Sequence, residues 1–138
     1  MAFLRIALPP RFYDYGLLVL RLTFGFSMLY GHGWGKLMRL LGAEEIEFAD
    51  PFGIGPTTSL ALAVLAEVIC AFLIIIGLYT RAALIPLIFT MGTAYFTVHF
   101  HDEFGQQEKA ILYGLAFVSL FLTGPGRLSL DTYLDSRD

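Results

Sequence analysis

Four runs of apolar residues set the limits on what this chain can fold into. A bilayer core takes about 20 apolar residues as helix. The runs are roughly Gly16–Lys36, "GLLVLRLTFGFSMLYGHGWGK"; Thr57–Leu78, "TTSLALAVLAEVICAFLIIIGL"; Ala82–His101; and Gln107–Gly124. The fourth is the shortest and needs tilt or local bilayer thinning to span. The second and third lack the alternating polar and apolar faces of helices in a soluble bundle. Only 15% of the residues are charged, against about 25% in soluble domains. The chain therefore reads as all-α, an integral membrane four-helix bundle with antiparallel neighbours, forming a single membrane domain over 1–138.

The breaks between runs are marked by turn residues. Gly77 with Tyr79–Arg81 predicts a tight turn, Asp102–Gly105 a second, and Gly124–Gly126 a stop. The long connection is Met38–Pro56. In it "AEEIEFA" predicts a short interfacial helix, and "DPFGIGP" cannot continue one. The opening "MAFLRIALPPRFYDYG" reads as an uncleaved arm, because two prolines interrupt its apolar run. Arg5, Arg11, Arg81, Arg127 and Arg137 fall on one side of the bundle, and Lys36, Arg39 and Lys109 on the other. The excess places both termini in the cytoplasm of an inner-membrane protein.

Composition excludes some functions. A net charge of −3 gives no basic field for nucleic acid. The one cysteine, Cys70, rules out thiol–disulfide chemistry within the chain.

Charged groups inside a membrane face the bundle interior or water, and mark function. At about 100° per residue, Arg21, Gly25, Met28, His32 and Lys36 share a stripe of the first helix. Ala63, Glu67 and Ala71 share one on the second. Thr90, Ala94, Thr97 and His101 do so on the third, and Glu108, Leu115, Ser119 and Thr123 on the fourth. All four stripes are expected to face inward. His32, Lys36, Glu67, His101, Glu108 and Tyr95 then form one candidate polar pocket at the far end. Arg21 leans the other way, so a direct Arg21–Glu67 pair is not expected. Gly31, Gly33 and Gly35 in "YGHGWGKL" lack the bulk that would keep helices apart there. Trp34 suits an interfacial anchor.

Several chemistries are open to such a pocket. A histidine and a carboxylate beside a lipid-accessible slot, lined by Tyr30, Tyr95 and Phe96, would suit a quinone. A hydrogen-bonded network that fixes helix register accounts for the same residues. Haem or metal binding is less expected, because His99 and His101 point to opposite helix faces and no ligand motif pairs the histidines. A carrier role needs more than four crossings without a repeat pair.

"RLTFGFSMLYGHGWGKL", the glutamate of "AEVICAFLIIIGLYTRAAL", the "VHF" ending the third run and "GPGRLSLD" together resemble the DoxX family of small membrane proteins. The resemblance implies a four-helix membrane protein. Relatives are described as subunits of quinone-linked oxidoreductases, or occur with soluble redox enzymes. It implies that Arg21, Gly31, Lys36, Glu67, Gly77, Arg81, Glu108, Gly124, Pro125, Gly126, Arg127 and Asp131 are family-like landmarks, more architectural than catalytic. The leading expectation is a membrane subunit of a redox complex that contacts the quinone pool or anchors a soluble oxidoreductase. A non-catalytic scaffold is the alternative, and a carrier the third. Expected partners are the bilayer and another redox protein, or a second copy of the chain through its small-residue stripes. In "GPGRLSLD", Gly124 and Pro125 are read as a helix stop and Gly126 as a turn. Ser129 and Asp131 are read as caps of a short terminal helix, and Arg127 as a headgroup or docking contact.

Overall fold

The computed structural model describes residues 9–42 and 45–137. α1 (Pro10–Met28) runs through a π-helical turn, Leu29–Gly33, into α2 (Trp34–Gly42). α3 (Pro56–Val64) runs through a second π turn, Leu65–Cys70, into α4 (Ala71–Ile76). α5 (Thr80–Thr93) ends in a third, Ala94–Val98. α6 (Phe104–Thr123) and the short α7 (Leu130–Asp135) complete the chain. The fold is all-α and membrane-associated. Pro56–Ile76 and Thr80–Val98 are long and apolar enough to cross a bilayer.

Helix ends follow local chemistry, with two corrections to the first helix. The first helix begins at Pro10, not Gly16. The prolines read as breakers instead start it, since proline at the first helical position lacks only an N–H that would be unsatisfied anyway. The helix also continues past Lys36 to Gly42. The expected arm before Pro9 lies outside the described residues. Gly77 ends α4 in the left-handed region (φ 72°), and Gly124 (φ 80°) stops α6.

The expected interfacial helix in "AEEIEFA" does not form from Glu45 onward; Ala43 and Glu44 lie outside the described residues. Asp50 shapes the connection instead. Its carboxylate accepts the Ile54 N–H (3.0 Å), the Gly55 N–H (2.8 Å) and the Ser59 hydroxyl (2.8 Å). These bonds favour the charged form and hold its pKa below the ordinary carboxylate value, the Ser59 bond most of all. Phe52 of this loop stacks on Phe89 of α5 at 5.8 Å.

The core gathers Met28, Ile74, Leu84, Leu87, Phe117 and Leu120, all fully buried. α1 meets α4 at Gly25, where a Cβ would fall 2.5 Å from the Ile75 side chain. Outside the core, Phe26, Ile69, Phe72, Ile85, Phe89 and Leu122 are exposed. An apolar exterior of this kind suits lipid, not water.

The polar stripes divide into two kinds. Arg21, Gly25, Met28, Ala63, Glu67 and Ala71 are buried, as expected of α1 and of the α3–α4 rod. On α5 and α6 the expectation fails. Thr97, His101, Glu108, Leu115, Ser119 and Thr123 are exposed, and Ala83, Leu84, Leu87, Phe117 and Leu120 face inward. The hydroxyls satisfy themselves. Thr90 donates to the Pro86 carbonyl (2.8 Å), Thr97 to Thr93 (2.6 Å), Ser119 to Leu115 (2.8 Å) and Thr123 to Ser119 (2.8 Å). A hydroxyl bonded back four residues has no need of a polar interior.

Candidate functional site

Two polar centres form at opposite ends of the first helical rod. The first lies where its π turn meets the π turn of the α3–α4 rod. Gly33 is buried there, and a Cβ on it would stand 2.5 Å from the Glu67 carbonyl oxygen. The rods therefore touch backbone to backbone, as small residues allow in membranes. A Cβ on Gly31 or Gly35 would meet nothing within 4 Å. Only one of the three glycines does the expected job.

This contact places Lys36 over Glu67. Lys36 Nζ stands 2.5 Å from Glu67 Oε2, with the glutamate side chain 3% exposed and the lysine 25%. An isolated carboxylate costs several kcal/mol to bury, and a cation at this distance offsets much of that. His32, half-buried in the same π turn as Gly33, packs edge-on to Tyr113 with ring centroids 5.2 Å apart. Tyr113 continues into Phe24 and Phe117. Sequence reasoning missed Tyr113, because nothing in α6 alone marks it. π turns occur often at functional sites, since they re-aim side chains out of the regular ladder.

The other candidates are placed elsewhere. His101 and Glu108 are exposed, at and just after the turn into α6. His99 pairs with Asp102 at 2.6 Å. Tyr30 is 82% exposed. Tyr95 and Phe96 line an open, largely apolar groove of about 200 Å³ with Met91, Gly92 and Gly114. His32, Lys36 and Glu67 are not in its lining. Among the described residues no three His, Cys, Asp or Glu side chains come together as metal ligands.

The second centre joins α1, the α4–α5 turn and the "GPGRLSLD" tail. Arg21, 1% exposed, donates from Nη2 to the Leu128 carbonyl at 2.5 Å. Its guanidinium lies against Gly77, where any Cβ would overlap it. Arg21 and Glu67 are thus committed to different partners, as the lean of their helices requires. Asp131 accepts N–H bonds from Tyr79 (2.6 Å) and Thr80 (2.9 Å), and its own N–H donates to the Gly77 carbonyl (2.8 Å). Asp131 therefore caps α5, not the terminal helix. Ser129 does cap α7, accepting the Thr132 N–H at 3.3 Å. Asp14 accepts the Arg127 N–H at 2.9 Å. Asp14 was not singled out from the sequence, although its seven-residue spacing to Arg21 puts both on one face of α1.

An all-α membrane-associated fold, with a part-buried ion pair at a helix crossing and a tail clasped to a turn, defines a class of small helical membrane protein. The chain belongs to the DoxX family, whose model matches residues 16–100. Inner membrane protein YphA of Escherichia coli (strain K12) is 32% identical over 144 residues, covering 88% of this chain and 96% of that protein. Inner membrane protein YqjF of the same strain is 29% identical over 131 residues, covering 90% and 95%. An uncharacterized protein of Haemophilus influenzae is 30% identical over 128 residues, covering 88% and 92%. No solved structure matches the chain. The matched span contains Arg21, Lys36, Glu67, Gly77 and Arg81 but stops before the tail.

Proposed function

We propose that this chain is a multi-pass protein of the inner membrane, crossing four times as an antiparallel bundle with both termini in the cytoplasm. We further propose that it is the membrane subunit of a redox complex, anchoring a soluble oxidoreductase at the quinone pool. Relatives named as inner membrane proteins and two helices of crossing length support the location. The redox role is drawn from the DoxX resemblance. The observation that carries a functional site is the part-buried Lys36–Glu67 pair beside His32. Ionisable residues held inside a membrane mark proton or substrate paths.

A quinone in the membrane would approach from the lipid face. There the groove with Tyr95 and Phe96 supplies apolar lining, while the acid and base groups lie elsewhere. The residues do not assemble into one quinone headgroup site.

Extraction from native membranes in mild detergent tests it. A soluble oxidoreductase retained in stoichiometric amount, with Glu67→Gln lowering its quinone-linked turnover at unchanged assembly, is the expected result. A chain that purifies alone overturns the subunit role.

A scaffold without proton chemistry is the second reading. The packing of Gly33 on the Glu67 carbonyl favours it, because a closed ion pair at a backbone contact also locks helix register. In that case Glu67→Gln and His32→Ala leave turnover unchanged, and loss of the tail abolishes assembly.

A further inference from the structure

We infer that the end of the molecule built around the Gly124–Arg127 turn is a headgroup site for an anionic phospholipid. This inference rests on the membrane-spanning reading above. The charges of that end are sorted by direction. Asp131 has both carboxylate oxygens on the Tyr79 and Thr80 N–H groups. Asp14 is held by the Arg127 N–H, and its side chain is 17% exposed. Both acids are thus turned onto backbone donors.

The cations at the same turn point outward. The Arg127 side chain is 79% exposed, and its Nε reaches Asp14 only at 4.0 Å, a loose contact that leaves most of the fork open. Arg81 is exposed, and its Nη2 lies beside Gly124, 3.6 Å from where a Cβ would stand. Arg81 makes no ion pair among the described residues. Two guanidinium groups therefore flank one four-residue turn. Asp135 of α7 is the exposed acid among the described residues of the tail.

Two tyrosines complete the surface. Tyr79 has positive φ (46°) and is 71% exposed as a residue. The Asp131 cap holds its N–H in that strained turn. Tyr133 of α7 is 51% exposed, with the Arg137 guanidinium over its ring at 4.5 Å and donating to its hydroxyl. Phenol rings settle at headgroup depth, and a guanidinium fork matches phosphate oxygens in paired hydrogen bonds. Arg127 in the turn and Arg81 two residues from the exposed Tyr79, on a backbone pinned by Asp14 and Asp131, fit a phosphodiester that also carries net charge.

Native mass spectrometry of the full chain, purified in mild detergent with defined lipid added, tests the inference. Phosphatidylglycerol should be retained at least fivefold over phosphatidylcholine. Arg81→Gln/Arg127→Gln should abolish that preference while circular dichroism stays unchanged. Equal retention of the two lipids by the natural chain overturns the inference, as does undiminished preference in the folded double variant. If the double variant fails to fold, salt titration of the natural chain decides. Phosphatidylglycerol retention should fall steeply with ionic strength, and a flat response counts against the site. Inorganic phosphate that alone gives the same thermal stabilisation as phosphatidylglycerol would also overturn a lipid site. Failure of the membrane reading itself looks different, because the protein would then leave native membranes in alkaline carbonate without detergent.

Discussion

Asp131 and Thr80 lie 51 residues apart in the chain, yet the Asp131 carboxylate accepts the Thr80 N–H at 2.9 Å. The last described helix of the protein therefore supplies the N-terminal cap of α5. Asp131→Ala should cost about 0.5–2 kcal/mol, the usual range for a lost cap. It should also loosen the tail at the α4–α5 turn, where the backbone bond from residue 131 to the Gly77 carbonyl remains. Hydrogen exchange would show the Tyr79 and Thr80 amides losing protection first. Unchanged exchange at those two amides would show that the clasp does not hold in solution.

Lys36→Met leaves Glu67 buried without its cation. Breaking a fully buried pair costs roughly 3–5 kcal/mol. With the lysine 25% exposed, the loss should fall at or below the lower end of that range. Lys36→Met/Glu67→Met should recover much of it, since no buried charge then remains. Thermal midpoints of the three proteins in one detergent check this. A double variant no better than Lys36→Met would mean the pair has another role than mutual neutralisation.

Gly33→Ala should destabilise by about 1–3 kcal/mol, the scale for overpacking against atoms that cannot move. The obstacle is the Glu67 backbone carbonyl. Gly31→Ala and Gly35→Ala should be neutral, or stabilising by about 0.5–1 kcal/mol through helix propensity. Equal effects at all three positions would contradict the backbone contact.

Asp50 sets a pH dependence for the loop before α3. Its folded pKa lies below the ordinary carboxylate value, mainly through the Ser59 hydroxyl. A depressed carboxylate contributes stability that is complete above its unfolded value. That stability is lost as pH falls through the folded value. The loop should therefore hold through neutral pH and loosen only below about pH 4. A carboxyl NMR titration reads the midpoint directly, and Ser59→Ala should raise it toward the ordinary value. A midpoint already ordinary in the natural chain would mean these hydrogen bonds do not form.

Apart from the ends of the first helix and the connection before α3, the sequence alone determined the elements and their stops. Apolar length, the left-handed glycines at 77 and 124, and Ser129 ahead of α7 all act within a few residues, so their effects are legible in order along the chain. It also determined the buried faces of α1 and of the α3–α4 rod. There a charged residue, Arg21 or Glu67, cannot satisfy itself and must turn inward.

On α5 and α6 the same periodicity misled. Thr90, Thr97, Ser119 and Thr123 each return a hydrogen bond to their own helix, so a polar stripe did not have to become an interior one. Pro9 and Pro10 misled for the opposite reason, because the first turn of a helix has no N–H bond for proline to break. Only the tertiary structure decided the pairings: Lys36 with Glu67, Arg21 with the Leu128 carbonyl, and Asp131 with the start of α5. Each partner lies 31 or more residues away. Its choice depends on how closely two rods approach, and that was set by a single glycine, Gly33 in one case and Gly77 in the other.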